Sequence, residues 1–170
     1  MSDSIIRGVE IISLQQHADQ RGGFVEILKA RNHDTTFVQA NHSHSMPGVL
    51  RGLHYHRHQA DLWYVVRGRA QVGLVDLRDQ RRATPLCDSV FLDAEAPATL
   101  YIPPGVAHGF LALTDLDLIY WVTMEYDGSD EYGIAWDDRR LAIEWLDADP
   151  ILSDRDAANP ELGWAEIPAF

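Results

Sequence analysis

Arg51-Gly52-Leu53-His54-Tyr55-His56-Arg57-His58-Gln59-Ala60-Asp61 leads straight into the apolar run Leu62-Trp63-Tyr64-Val65-Val66 and ends at Gly68. An extended backbone turns residues i, i+2 and i+4 to one face, so on a strand His54, His56 and His58 converge. A solvated histidine-rich face is the plain alternative, but the strand that follows is too apolar for a casual surface, which favours a functional cluster. A second stretch, Pro103-Pro104-Gly105-Val106-Ala107-His108-Gly109-Phe110, places His108 after a rigid turn and before another apolar run. Working outward, the alternating or β-branched runs 9–14, 24–28, 63–67, 70–77, 99–102, 110–113 and 116–122 read as strands. Turn signals separate them at Arg21-Gly22-Gly23, Met46-Pro47-Gly48, Gly68, Pro103-Pro104-Gly105 and Asp127-Gly128-Ser129-Asp130. Helical signal is confined to a turn near 138–143 and another over 153–158, where Ser153 caps and Pro160 stops. The expected class is all-β, a jelly-roll sandwich or barrel with a few short helices.

The rest of the chain bounds what such a barrel does. Its 170 residues suit one domain spanning 1–170, and 46% apolar residues with five Trp suffice for a core. The net charge of −12 disfavours nucleic acid, which is held by clustered positive charge, and anionic membranes for the same reason. No run approaches the ~20 apolar residues of a membrane span, and the N-terminus lacks the apolar core of a signal peptide, so a cytoplasmic location is expected. Cys87 is the only cysteine, which leaves any metal site to histidine and carboxylate.

Read together, the two histidine segments resemble the two-part signature of the cupin barrel: HxH, an acid and a glycine, then PxGxxH. Asp19-Gln20-Arg21-Gly22-Gly23-Phe24-Val25-Glu26, Val38-Gln39-Ala40-Asn41-His42-Ser43-His44-Ser45, Gly48-Val49-Leu50-Arg51-Gly52-Leu53-His54-Tyr55, Val75-Asp76-Leu77-Arg78, Trp136-Asp137-Asp138 and Leu152-Ser153-Asp154-Arg155-Asp156 extend the match. Block by block, in one order, they resemble the dTDP-4-dehydrorhamnose 3,5-epimerase family. That resemblance implies a homodimeric cupin jelly roll acting on a nucleotide sugar, a 4-keto-6-deoxyhexose, without metal or organic cofactor. It implies His54 as base, Asp156 as the carboxylate that orients it, and Tyr120 as the acid on the opposite face. Arg51 and Arg21 would hold the diphosphate, Gln39 and Asn41 would line the pocket, and His108 would meet the sugar. Phe24 and Glu26 would meet the thymine base, in the family from the partner subunit. The chemistry agrees with these residue types: a 4-keto group acidifies the C3 and C5 hydrogens, and inversion needs a base, enolate stabilisation and an acid.

The departures carry as much information. The family usually has a lysine at the start of the strand that ends in the glycine, where this chain has Asp61; His56 stands where a glutamine is usual, and Gly23 replaces one of two paired phenylalanines. An anion beside a forming oxyanion removes stabilisation and adds repulsion. His54, His56, Asp61 and His108 instead fit the spacing of the metal-binding cupin set, an alternative in which Fe, Ni, Mn or Zn polarises the substrate carbonyl. The corresponding alternative functions are a metal-dependent isomerase or dioxygenase, or a sugar-nucleotide binding protein that no longer epimerises. An ordinary ion pair of Asp61 with Arg57, Arg67 or a protonated histidine is the plainer reading.

Overall fold

The computed structural model describes residues 4–32, 34–163, 167, 168 and 170. In chain order the strands are β1 (Glu10–Ser13), β2 (Gln16–Asp19), β3 (Gly22–Val25), β4 (Gln39–Ser45), β5 (Leu50–Tyr55), β6 (Asp61–Arg67), β7 (Arg69–Asp76), β8 (Leu86–Asp93), β9 (Ala98–Ile102), β10 (Val106–Ala112), β11 (Leu116–Val122) and β12 (Tyr132–Gly133). A single-turn helix, α1 (Asp154–Ala157), follows. One antiparallel sheet has the order β1-β9-β6-β11-β4 and the other β12-β5-β10-β7-β8, while β2 and β3 form a separate hairpin. The all-β jelly-roll expectation holds.

Two clusters of apolar side chains explain the patterning. Trp63, Val65, Val72, Leu74, Phe110 and Leu118 belong to one. Leu53, Val75, Leu77, Ile134, Leu141 and Leu162 belong to the other, in which residues after β12 pack on residues of β5 and β7. The second sheet is thus covered on both faces, which is why β10 is buried at every position and β7 at nearly all, giving apolar runs rather than alternation. Asp138 pins this outer covering: its carboxylate accepts the Leu162 N–H at 2.7 Å and the Arg140 N–H at 2.9 Å, and pairs with the Arg140 guanidinium.

Five strands, β2, β4, β5, β8 and β12, lie outside the apolar runs that predict the others, and two of them show why. In β4, Gln39, Asn41 and Ser43 are half-buried while Ala40, His42 and His44 are exposed, so the strand alternates without being apolar. Its pairing with β11, from Ser45↔Leu116 to Gln39↔Val122, holds it in place. β8 is an edge strand, paired to β7 along its whole length, and its Asp88 and Asp93 suit an edge that must not pair further. The helical turn expected near 138–143 does not form. Those residues make turns, because the Asp138 carboxylate captures the N–H two residues on. The second expected turn does form as α1, with Ser153 Oγ accepting the Asp156 N–H at 3.1 Å.

Where β5 meets β10 the backbones approach too closely for side chains. Gly52 has φ +127°, and a Cβ there would lie 2.6 Å from Gly109 Cα. The register between the strands shifts at this point, between His108 and Phe110. A one-residue bulge changes which face the following residues present, which allows Arg51 and His54, three apart, both to line the same cavity. Among the described residues no helix is long and apolar enough to cross a membrane.

Candidate active site

A cavity of about 610 Å³ opens between the two sheets. From the first sheet it takes Gln39, Asn41, Asp61, Trp63 and Tyr120, and from the second Arg51, His54 and His108; α1 adds Asp156. Strand pairing sets the inward row, since Tyr120 lies between Asn41 on β4 and Trp63 on β6, and Val122 between Gln39 and Asp61. The polar composition of β4 is therefore the lining of a wet cavity rather than a surface.

His54 is gripped through one nitrogen. Its Nε2 lies 2.6 Å from Asp156 Oδ1, and its Nδ1 lies 3.9 Å from Glu131 Oε1. Burial alone would raise the Asp156 carboxyl, but the hydrogen bond and charge of His54, with the Ser153 hydroxyl and the Gly52 backbone, hold it below the usual carboxylate range. An ionised, buried carboxylate only accepts, so it fixes the orientation of the imidazole with a ring hydrogen on Nε2. Glu131 is treated similarly: burial raises its carboxyl, and Arg155 at 2.8 Å together with His54 brings it below the ordinary value.

Tyr120 stands on the sheet facing His54. Burial pushes its phenol above the ordinary value, and the Asp61 and Glu131 carboxylates push it further. A phenol in that setting stays protonated at neutral pH and is able to donate. Arg51 bonds Ser45 Oγ at 3.0 Å and the His44 carbonyl at 3.2 Å, with its guanidinium exposed. Gln39 donates to Asn41 Oδ1 at 2.7 Å and accepts the Tyr126 N–H at 2.9 Å.

The histidine row differs from its expected form. β5 ends at Tyr55, so His56 lies beyond the strand and His58 turns outward, exposed. Asp130 makes that turn: its carboxylate accepts the N–H groups of Arg57, His58 and Gln59 at 2.8, 2.9 and 3.1 Å. His58 is therefore no member of the cluster. The four-residue metal set loses His54 as well, whose Nε2 is held by Asp156; His56, Asp61 and His108 remain together. The plainer ion pair also fails in two of its forms. Arg67 bonds Asp117 at 2.7 Å. Burial drives the His108 imidazole down to about 4, with His56 and His54 adding and Asp61 opposing, so His108 is neutral at pH 7.

Three of the expected binding residues lie elsewhere. Arg21 is mostly exposed at the tip of the β2–β3 hairpin and clasps Asp19, so within one chain it does not join Arg51. Phe24 on the same hairpin is 64% exposed, and Glu26 just after it pairs with Lys29. Conversely, Glu131 and Arg155 enter the cavity without a sequence cue, since one follows a turn and the other sits in α1, and only the fold joins them.

Residues 3–163 match the family described as dTDP-4-dehydrorhamnose 3,5-epimerase. The chain belongs to the dTDP-4-dehydrorhamnose 3,5-epimerase family. It is 41% identical over 146 residues to the spore coat polysaccharide biosynthesis protein SpsL of Bacillus subtilis, covering 83% of this chain and 97% of that protein. Among solved structures it is similar to ChmJ, a 3'-monoepimerase from Streptomyces bikiniensis in complex with dTDP-quinovose (TM-score 0.89, 32% identity, 98% and 89% of the two chains). It is likewise similar to the dTDP-6-deoxy-D-glucose-3,5-epimerase RmlC of Legionella pneumophila in complex with dTDP-4-keto-L-rhamnose (TM-score 0.86, 33% identity, 98% and 93%). Members of this epimerase family are isomerases, and the jelly roll is shared with them throughout.

Proposed function

We propose that the protein epimerises a nucleotide-linked 4-keto-6-deoxyhexose of the dTDP-4-keto-6-deoxyglucose type, at C3, C5 or both. The observation that carries this reading is the placing of His54 and Tyr120 on facing sheets of one cavity, since inversion needs a base and an acid on opposite faces of one carbon. His54 removes the proton next to the ketone. Asp156, held 2.6 Å away by the cap of α1, keeps the imidazole aimed and stabilises the imidazolium that forms. Tyr120 returns a proton from the other side and is reprotonated from solvent. Family membership favours this reaction over dioxygenation or sugar-nucleotide binding without catalysis.

Binding is assigned on the same footing. Arg51 presents an exposed guanidinium at the cavity, suited to a diphosphate oxygen. Gln39 and Asn41 face the sugar-nucleotide, and His108, neutral and buried, meets the sugar as a hydrogen-bonding partner rather than a charge. Arg21, Phe24 and Glu26 stand on or beside an exposed hairpin, which fits delivery to the cavity of a second copy in a homodimer. The chain acts as one domain over residues 1–170, in the cytoplasm where sugar nucleotides are made, and the proton transfers use its own side chains with no organic cofactor. Incubation of the protein with dTDP-4-keto-6-deoxyglucose tests the reading by the proton couplings of the product. Epimer formed by the wild type and not by His54→Ala supports it, and unchanged sugar with the wild type overturns it.

A further inference from the structure

The inner end of the cavity holds a second constellation that the proton transfers do not use. His56 Nδ1 lies 2.5 Å from the Asp130 carbonyl oxygen, and His108 Nδ1 lies 2.9 Å from the Val106 carbonyl oxygen. A carbonyl only accepts, so each ring carries its hydrogen on Nδ1 and leaves its Nε2 lone pair as an acceptor. Between and beside those lone pairs stands Asp61, whose Oδ2 is 3.7 Å from His108 Nε2 and is oriented by the Trp63 indole N–H at 3.1 Å. Two imidazole lone pairs and a carboxylate, all buried, with ligand atoms within 4.8 Å of one another, form a group that has acceptors in excess of donors. The Gln59 amide nitrogen fills the gap, donating to Asp61 Oδ1 at 2.8 Å and to His56 Nε2 at 3.2 Å.

From this geometry we propose that His56, Asp61 and His108 bind one divalent transition-metal ion, with Gln59 as the group that yields its place. Second-shell carbonyls on the far ring nitrogens and an indole on the carboxylate are the supports that metal-ligating side chains ordinarily have. Two bonds of about 2.1 Å span at most ~4.2 Å between ligand atoms, so Asp61 and His108 already stand in range and His56 closes once the amide leaves. Imidazole with carboxylate suits Fe, Mn, Ni, Co or Zn rather than Ca or Mg. The role of the ion rests on the epimerase reading. The chain's single lysine, Lys29, is paired with Glu26 away from the cavity, Arg155 is paired with Glu131, and Arg51 is bonded to Ser45 and the His44 carbonyl and assigned to the diphosphate, so a bound ion would add positive charge for an enolate oxygen.

Binding is tested without substrate. Chelator-stripped protein is titrated with Co²⁺, read by its visible absorption bands and by calorimetry. The expected result is one ion per chain, with affinity reduced at least 10-fold in Asp61→Asn and in His56→Gln, and kept in His54→Ala. Gln59→Ala, which removes the competing amide, binds Co²⁺ at least as tightly as the wild type, and this variant keeps the test open if a ligand variant fails to fold. No stoichiometric binding, or equal affinity in Asp61→Asn, overturns the site. Solvent exchange into dTDP-4-keto-6-deoxyglucose is then compared in stripped and Co²⁺-loaded protein. A rate at least 10-fold higher when loaded supports the role, whereas equal, measurable rates overturn the role while leaving epimerisation intact.

Discussion

His54 and His108 are direct neighbours across the β5–β10 ladder, yet their rings are held by different partners. The Nε2 of His54 meets a buried carboxylate at 2.6 Å, whereas His108 meets a backbone carbonyl and is held neutral by burial. Residue type and strand position are the same, so the difference comes from what each second nitrogen touches. A carboxylate partner places a negative charge against the ring; a carbonyl partner leaves a fixed lone pair on the opposite nitrogen. The cavity is thereby divided into a carboxylate-held end, His54 with Asp156 and Glu131, and a lone-pair end, His56 with Asp61 and His108.

This contrast breaks most sharply at the proposed base. His54→Ala is expected to lower epimerisation by about 10²- to 10⁴-fold while dTDP binding by calorimetry stays measurable. Tyr120→Phe tests the facing side: base-driven deuterium exchange persists, but inversion falls by roughly 10²-fold, read as exchange without product. Asp156→Asn keeps the contact with His54 and loses its charge, so turnover is expected to fall by on the order of 10-fold to 10²-fold. The same variant has a stability signature. The folded carboxyl lies below its unfolded value, so its stabilisation is present above about pH 4 and lost as pH falls through the folded value. Acid denaturation followed by circular dichroism should be shallower in Asp156→Asn over that window. At the lone-pair end, Asp130→Ala frees three N–H groups of the 57–59 turn, costing about 1–2 kcal/mol and lowering Tm by roughly 2–8 °C, with His56 losing its orientation.

Much of the barrel was legible because apolar runs mark strands buried on both faces, as in β7 and β10. β4 was not, since its inner row lines a polar cavity and its pattern is polar against polar. His54 stood out by its spacing, but its role as base, and Asp156 and Tyr120 altogether, could be named only through resemblance; spacing alone joins no residue at 54 to one at 156. Period-two reasoning placed His58 with His54 because nothing local shows where β5 stops. The cause is Asp130, some seventy residues away, folding the chain out of its extended path. Glu131 and Arg155 were invisible for the same reason. Asp61 was the most informative single residue, because an acid among histidines departs from the family pattern and the structure groups it with His56 and His108.

The most direct test is proton NMR of dTDP-4-keto-6-deoxyglucose in D₂O with wild-type protein and with His54→Ala. The account predicts deuterium entering at C3, C5 or both with the wild type and a loss of at least 10²-fold in that rate with the variant. Absence of exchange with the wild type, or undiminished exchange in His54→Ala, would contradict it.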